Sequence, residues 1–301
     1  MQLLMIILPV FMIFAIGFGA QKFLRMDIKA ISSMSLYILI PILTFDTFYR
    51  NTLTMDYFYL FLFSMIITLV LAGVTVLIAR GVGKNREETA AVLLGALFPN
   101  SGNYGAPVIL FALGALAFDY AIVLMVIHGF IIGTIGILIA SLGNGAVIPM
   151  REAVLNVLKT PIIYGAFLGV LFEQLGIPLH NGLVEIIQMT GNAAIPVVML
   201  ILGMQLAEIK KEQFDTGSIS IVILVRMIIS PLAAAVLVMF MPVDETMKMV
   251  FIILNAMPVA ANSTMLAIQF NTSPNLVSLS TLITTLLSII TIPLCLLWVG
   301  I

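Results

Sequence analysis

Apolar runs of about twenty residues recur from one end of this 301-residue chain to the other, separated by short polar turns. A helix of that length crosses a ~30 Å hydrocarbon core. In such a core every backbone N–H and C=O must be paired within the protein, which leaves helices and closed barrels as the only spanning structures. The runs read as ten helices: Leu3–Leu24, Ile28–Phe48, Tyr57–Ala79, Glu88–Gly114, Phe118–Leu142, Thr160–Leu175, Leu183–Leu206, Ile219–Met241, Met247–Phe270 and Asn275–Val299. Almost nothing is left for a soluble domain. Composition agrees, with 62% hydrophobic and 9% charged residues and a mean hydropathy of +1.22, values of an integral membrane protein. The expected fold is therefore all-α and embedded in a lipid bilayer. The first run is too long for a signal-peptide core and lacks a basic leader and a clear cleavage site, so it reads as a retained span.

The net charge of −1 says little, but the placement of basic residues says more. With ten alternating spans, Lys22, Arg25, Lys29, Arg80, Lys84, Arg86, Arg151, Lys159, Lys210 and Lys211 fall on one face and only Arg50 and Lys248 on the other. The positive-inside rule makes the richer face cytoplasmic, in an inner or plasma membrane, with both termini outside. A single cysteine, Cys295, excludes an internal disulfide and a cysteine-rich metal site. No P-loop is present, which argues against ATP hydrolysis by this chain. Nothing calls for a cofactor or a nucleic-acid partner.

The fourth run contains "LFPNSGNYGAPVILF", Leu97 to Phe111, with Pro99, Asn100, Gly102, Asn103, Gly105 and Pro107 inside it. Proline lacks a backbone donor and disfavours helix at the preceding residue, and glycine permits unusual backbone angles. The helix is expected to stop and restart. Each restart exposes a half-helix N-terminus of roughly +0.5 charge, which favours an anion. The ninth run, "NAMPVAANSTMLAIQF", repeats the signal: Pro99 aligns with Pro258 and Asn103 with Asn262, both 159 residues apart. Runs two and seven carry Pro41 and Pro196, and Pro161 opens the sixth. Five spans per half place the second half the other way up, an inverted repeat of the kind found in secondary transporters. On this reading residues 1–148 form the first repeat, 149–159 a cytoplasmic amphipathic linker and 160–301 the second repeat. A packing kink at each proline is the structural alternative, since proline and glycine are common in transmembrane helices.

Together with "PIIYGAFLGVLFEQLGIPL" in the sixth run, these motifs resemble the auxin efflux carrier family, which includes bacterial malate and malonate permeases and plant PIN-formed auxin exporters. The resemblance covers essentially the whole chain, and its most specific part is the break in run four. In run nine Pro258 is followed by Val259, not by a polar residue. The resemblance implies a fold like that of sodium/bile-acid symporters, with spans four and nine crossing at their prolines. Spans 3–5 and 8–10 would be a transport domain moving, elevator-fashion, against a scaffold of spans 1, 2, 6 and 7, often as a homodimer.

Candidate substrate-binding residues are thus Pro99, Asn100, Ser101, Asn103, Pro258, Asn262 and Ser263. Arg226 lies inside run eight, roughly 10 Å below the cytoplasmic surface at ~1.5 Å per residue. An intramembrane arginine is costly. It reads either as counter-charge for a carboxylate substrate, or as a side chain that snorkels or binds the free carbonyls of a broken helix. His128, near midplane depth in run five, is either a proton relay or a neutral hydrogen-bonding partner. No carboxylate dyad lies deep, so intramembrane hydrolases lack their machinery. The function expected is secondary transport of a small organic anion, a carboxylate, by efflux or exchange, coupled to a proton or a sodium ion. A ligand sensor using the same pocket, or a channel, are the other readings.

Overall fold

The structure, a computed structural model, describes residues 2–145, 149–208 and 215–300. Lys210 and Lys211, two of the basic residues on the face expected to be cytoplasmic, and the end of the first half at 146–148 lie outside the described residues. Among the described residues every regular element is a helix. In chain order they are α1 (Gln2–Leu24), α2 (Ile28–Arg50), α3 (Met55–Gly81), α4 (Arg86–Leu97), α5 (residues 101–113), α6 (Ala115–Gly143) and α7 (Met150–Leu158). There follow α8 (Pro161–Gln174), α9 (Asn181–Glu208), α10 (Thr216–Val238), α11 (Glu245–Asn255), α12 (Ala261–Gln269) and α13 (Pro274–Trp298). Six of these, α2, α3, α6, α9, α10 and α13, are long and apolar enough to cross a membrane, and residues 151–158 with α8, bent by 70°, make a seventh if counted as one span. The runs at 88–114 and 247–270 are each two shorter helices, α4 with α5 and α11 with α12.

Helix ends follow local chemistry. Asn85 and Glu88 form a reciprocal capping box at the start of α4, and Asp215 and Asp244 cap α10 and α11, each satisfying amides that a first turn leaves unpaired. Widened π turns interrupt the helices at 35–39, 101–105, 132–136 and 224–229. Three of the four end two residues before a proline, Pro41, Pro107 or Pro231. A proline inside a helix cannot donate and presses on the carbonyl four residues back. Opening the preceding turn is one way to relieve that clash.

Two helix pairs meet backbone to backbone. A Cβ on Gly17 of α1 would strike the Leu200 carbonyl of α9, and one on Gly203 would strike the Phe14 carbonyl. Between α2 and α8, Gly165 abuts the Pro41 carbonyl and Gly169 would place a Cβ 2.6 Å from the Phe45 carbonyl. Small residues that let backbones approach are how membrane helices gain packing without a hydrophobic driving force between them. Around the broken helices the core is deeply buried, with Phe251, Leu254, Met257, Val259 and Tyr104 fully enclosed.

Candidate functional site

The two breaks meet. Phe98 leaves the last turn of α4 in an extended conformation, φ −104° and ψ 112°, and residues 98–100 run antiparallel to the segment after α11. The Asn100 amide donates to the Pro258 carbonyl at 2.8 Å and the Ala260 amide to the Phe98 carbonyl at 2.9 Å. Backbone groups freed by the breaks thus satisfy each other within the buried core. The pairing places Pro99 opposite Val259, one residue beyond the Pro258 match suggested by sequence, because a proline marks where a helix stops and not which residue it will face. The two partners differ in what they need. Pro99 has no N–H, whereas the buried Val259 N–H donates to Thr284 Oγ1 of α13 at 3.2 Å.

The candidate residues divide around this crossing. Asn100, Ser101 and Ser263 are buried, with Asn100 Nδ2 and Ser263 Oγ lacking hydrogen-bond partners among the described residues. Ser101 opens α5, and its Oγ lies 2.8 Å from His128 Nδ1 of α6, so the deep histidine joins the site through a side chain at the restarted helix. Asn103 is half-buried and Asn262 is exposed. Pro99 and Pro258 contribute backbone, the latter as acceptor in the crossing.

Arg226, fully buried in the π turn of α10, reaches the other side of the crossing. One terminal nitrogen, Nη1, donates to the carbonyls of Leu97 at 2.9 Å and Ala96 at 3.3 Å, in the last turn of α4. Nη2 donates to the carbonyl of Asn255, the last residue of α11, and to Ser230 Oγ, which itself donates to that carbonyl at 2.8 Å. The guanidinium therefore faces the C-terminal ends of both broken helices, while α5 and α12 begin beyond the crossing.

Several contributors escaped the sequence reading. Ser280, Thr284 and Ser288 recur every fourth residue on the buried face of α13, a stripe visible in the sequence as hydroxyls at helical spacing. Besides Thr284 under Val259, the Ser288 hydroxyl lies 2.9 Å from that of Tyr104, whose ring packs edge-on against Phe14 of α1. Ser230 could have been found as the residue one turn from Arg226. A small apolar crevice between α2, α5, α6 and α9, with Gly102, Pro107, Ile40, Ile122 and Val198 among its walls, flanks the restart of α5. The acids lie elsewhere: Asp46 pairs with Arg50 at 2.7 Å, and Asp119 accepts from Asn51 at 3.1 Å.

A family profile described as membrane transport protein matches residues 2–296. The chain is also similar to an uncharacterised transporter of Methanothermobacter thermautotrophicus, 27% identical over 273 residues that cover 89% of this chain and 88% of that protein.

Proposed function

Because the chain belongs to the membrane transport protein family, the auxin efflux carrier family it resembles in sequence, we propose that it is a secondary transporter of a small organic anion, a carboxylate, working by alternating access. The observation that carries this reading is the antiparallel meeting of two broken helices in a buried core. Two helices that restart at one crossing bring two N-termini together, each of roughly +0.5 charge. One carboxylate would match their sum, with Asn100, Ser101, Asn103, Asn262 and Ser263 supplying polar groups around it. The absence of a competing acid among the crossing's described neighbours favours an anion over a cation.

On this proposal the ten expected spans form two inverted halves, with α4–α5 and α11–α12 as the equivalent broken spans. The glycine-packed pairs α1–α9 and α2–α8 would be the scaffold, and the helices around the crossing the moving body. The apolar crevice lies between the two sets, where an elevator motion would open a path. His128, bonded to Ser101, is the candidate through which a proton gradient would act, with sodium as the other candidate coupling ion and a homodimer as the expected assembly. The test is uptake and efflux of a labelled carboxylate panel in proteoliposomes under imposed pH, sodium and voltage gradients. Saturable carboxylate flux that is absent for neutral analogues supports the proposal. Flux of no carboxylate, or unsaturable conductance, would sink it.

A further inference from the structure

We propose that Arg226 is a positioning residue: one guanidinium ties the C-terminal ends of α4 and α11 together, fixing the crossing as a single body, and does not itself touch the transported anion. The anion in that statement rests on the function proposed above; the tie does not.

A buried, isolated arginine charge is very costly unless paired and hydrogen-bonded. Among the described residues no carboxylate lies within salt-bridge distance of Arg226. What it has instead is backbone: Ala96 and Leu97 at the end of one helix, Asn255 at the end of the other. Each helix C-terminus carries roughly −0.5 charge. Two of them together oppose one guanidinium almost completely, so the arginine is neutralised where it stands; both terminal nitrogens are engaged at the helix ends, and Nε alone lacks a hydrogen-bond partner among the described residues. Geometry gives the same result. A planar fork with two terminal nitrogens can bond carbonyls of two helices at once, one per nitrogen, which a lysine's single ammonium cannot reproduce in the same arrangement. Ser230, one helical turn along α10, bonds both Arg226 and the Asn255 carbonyl, and so reinforces the α11 side alone.

The pairing of the breaks on one side and the shared cation on the other together hold α4, α10 and α11 in fixed relation. Removing the fork should loosen both breaks at once and blur the placement of both N-termini, weakening anion binding even when a positive charge is kept.

The experiment compares wild type, Arg226→Lys and Ser230→Ala in nanodiscs by hydrogen exchange of the segments 95–105 and 253–262, alongside KM and maximal rate for uptake of a carboxylate and of its neutral amide. In Arg226→Lys, exchange should rise in both segments together by about tenfold or more, and KM for the carboxylate should rise by about as much with little change in maximal rate. In Ser230→Ala the increase should be smaller and confined to 253–262. Unchanged exchange in Arg226→Lys, or loosening of only one segment, overturns the tie. Intact exchange with a KM loss restricted to the carboxylate overturns the claim that Arg226 stands off the anion. If Arg226→Lys does not fold, Ser230→Ala decides by itself, since an increase at 95–105 equal to that at 253–262, or no increase at all, contradicts the assignment. If the wild type carries no anion yet both segments loosen as expected, the tie stands and the transport reading falls.

Discussion

Replacing Thr284 by valine removes one hydroxyl at nearly constant volume and strands one amide. The Val259 N–H is fully buried and donates to Thr284 Oγ1 at 3.2 Å. The paired segment cannot replace that acceptor: Pro99 and Val259 form the non-hydrogen-bonded pair of the crossing, so the Val259 N–H points away from residues 98–100. A buried donor left without a partner costs about 1–3 kcal/mol. Hydrogen bonds between membrane helices average about 0.6 kcal/mol and reach about 1.7, because displaced groups find other partners. With the paired segment unable to substitute, the expected cost is about 1.5–2 kcal/mol, or roughly a ten- to thirty-fold rise in local opening. Hydrogen exchange of 256–262 in nanodiscs reads this directly, with Thr284→Ser, which keeps the hydroxyl, as control. Pro99, the partner of Val259 across the crossing, has no N–H to strand, so the defect should originate on the α11–α12 side. Exchange in Thr284→Val indistinguishable from Thr284→Ser would refute the reasoning.

Other perturbations address the rest of the molecule. His128→Gln keeps a group able to bond Ser101 but cannot titrate near neutral pH; if the proton path runs through His128, the pH gradient should cease to drive uptake while exchange of substrate across the membrane persists, and undiminished driving by the gradient would end that assignment. Gly203→Ala drives a Cβ into the Phe14 carbonyl of α1 and should cost about 1–3 kcal/mol in a thermal melt, whereas Gly73→Ala, with nothing within 4 Å, should cost nothing. Asp215 caps α10 and accepts from Lys84 and Ser218, bonds that hold its carboxyl down to about 2. Its contribution to stability should thus be complete above the ordinary carboxylate range and fade as pH falls from about 4 towards 2. Asp215→Asn, which preserves the cap but gives up the charge facing Lys84, should lose this pH dependence, and Asp215→Ala should lose about a further 1 kcal/mol with the cap; a pH dependence that persists unchanged in Asp215→Asn would assign it to another group.

The membrane class and the two breaks were legible because they depend on residue types that act locally: apolar length, and prolines and glycines that deny a helix its donors or its angles. The ends of α4 and α11 were legible for the same reason. What the breaks pair with was less so. The crossing is held by amides and carbonyls, which every residue possesses, and the one-residue shift from Pro258 to Val259 opposite Pro99 leaves no trace in composition. Arg226 shows the same limit: its partners are the backbones of Ala96, Leu97 and Asn255, so the sequence could state its two roles but not choose between them. Asn262 was singled out by its match to Asn103, yet the phase of α12 leaves it exposed while its neighbour Ser263 is buried.

The π turns carry a consequence for how the length of this chain can change. A residue advances an α-helix by about 100°, so deleting one from the uninterrupted α3, residues 55–81, swings every later side chain of that helix off the face it now presents. A turn such as 132–136 already stores one residue more than an α turn requires. Removing a residue there closes the bulge and leaves the two flanking stretches of α6 in phase. Single-residue length differences should therefore be tolerated at 132–136 and rejected a few residues to either side, which a deletion scan along α3 and α6 reads as folded yield.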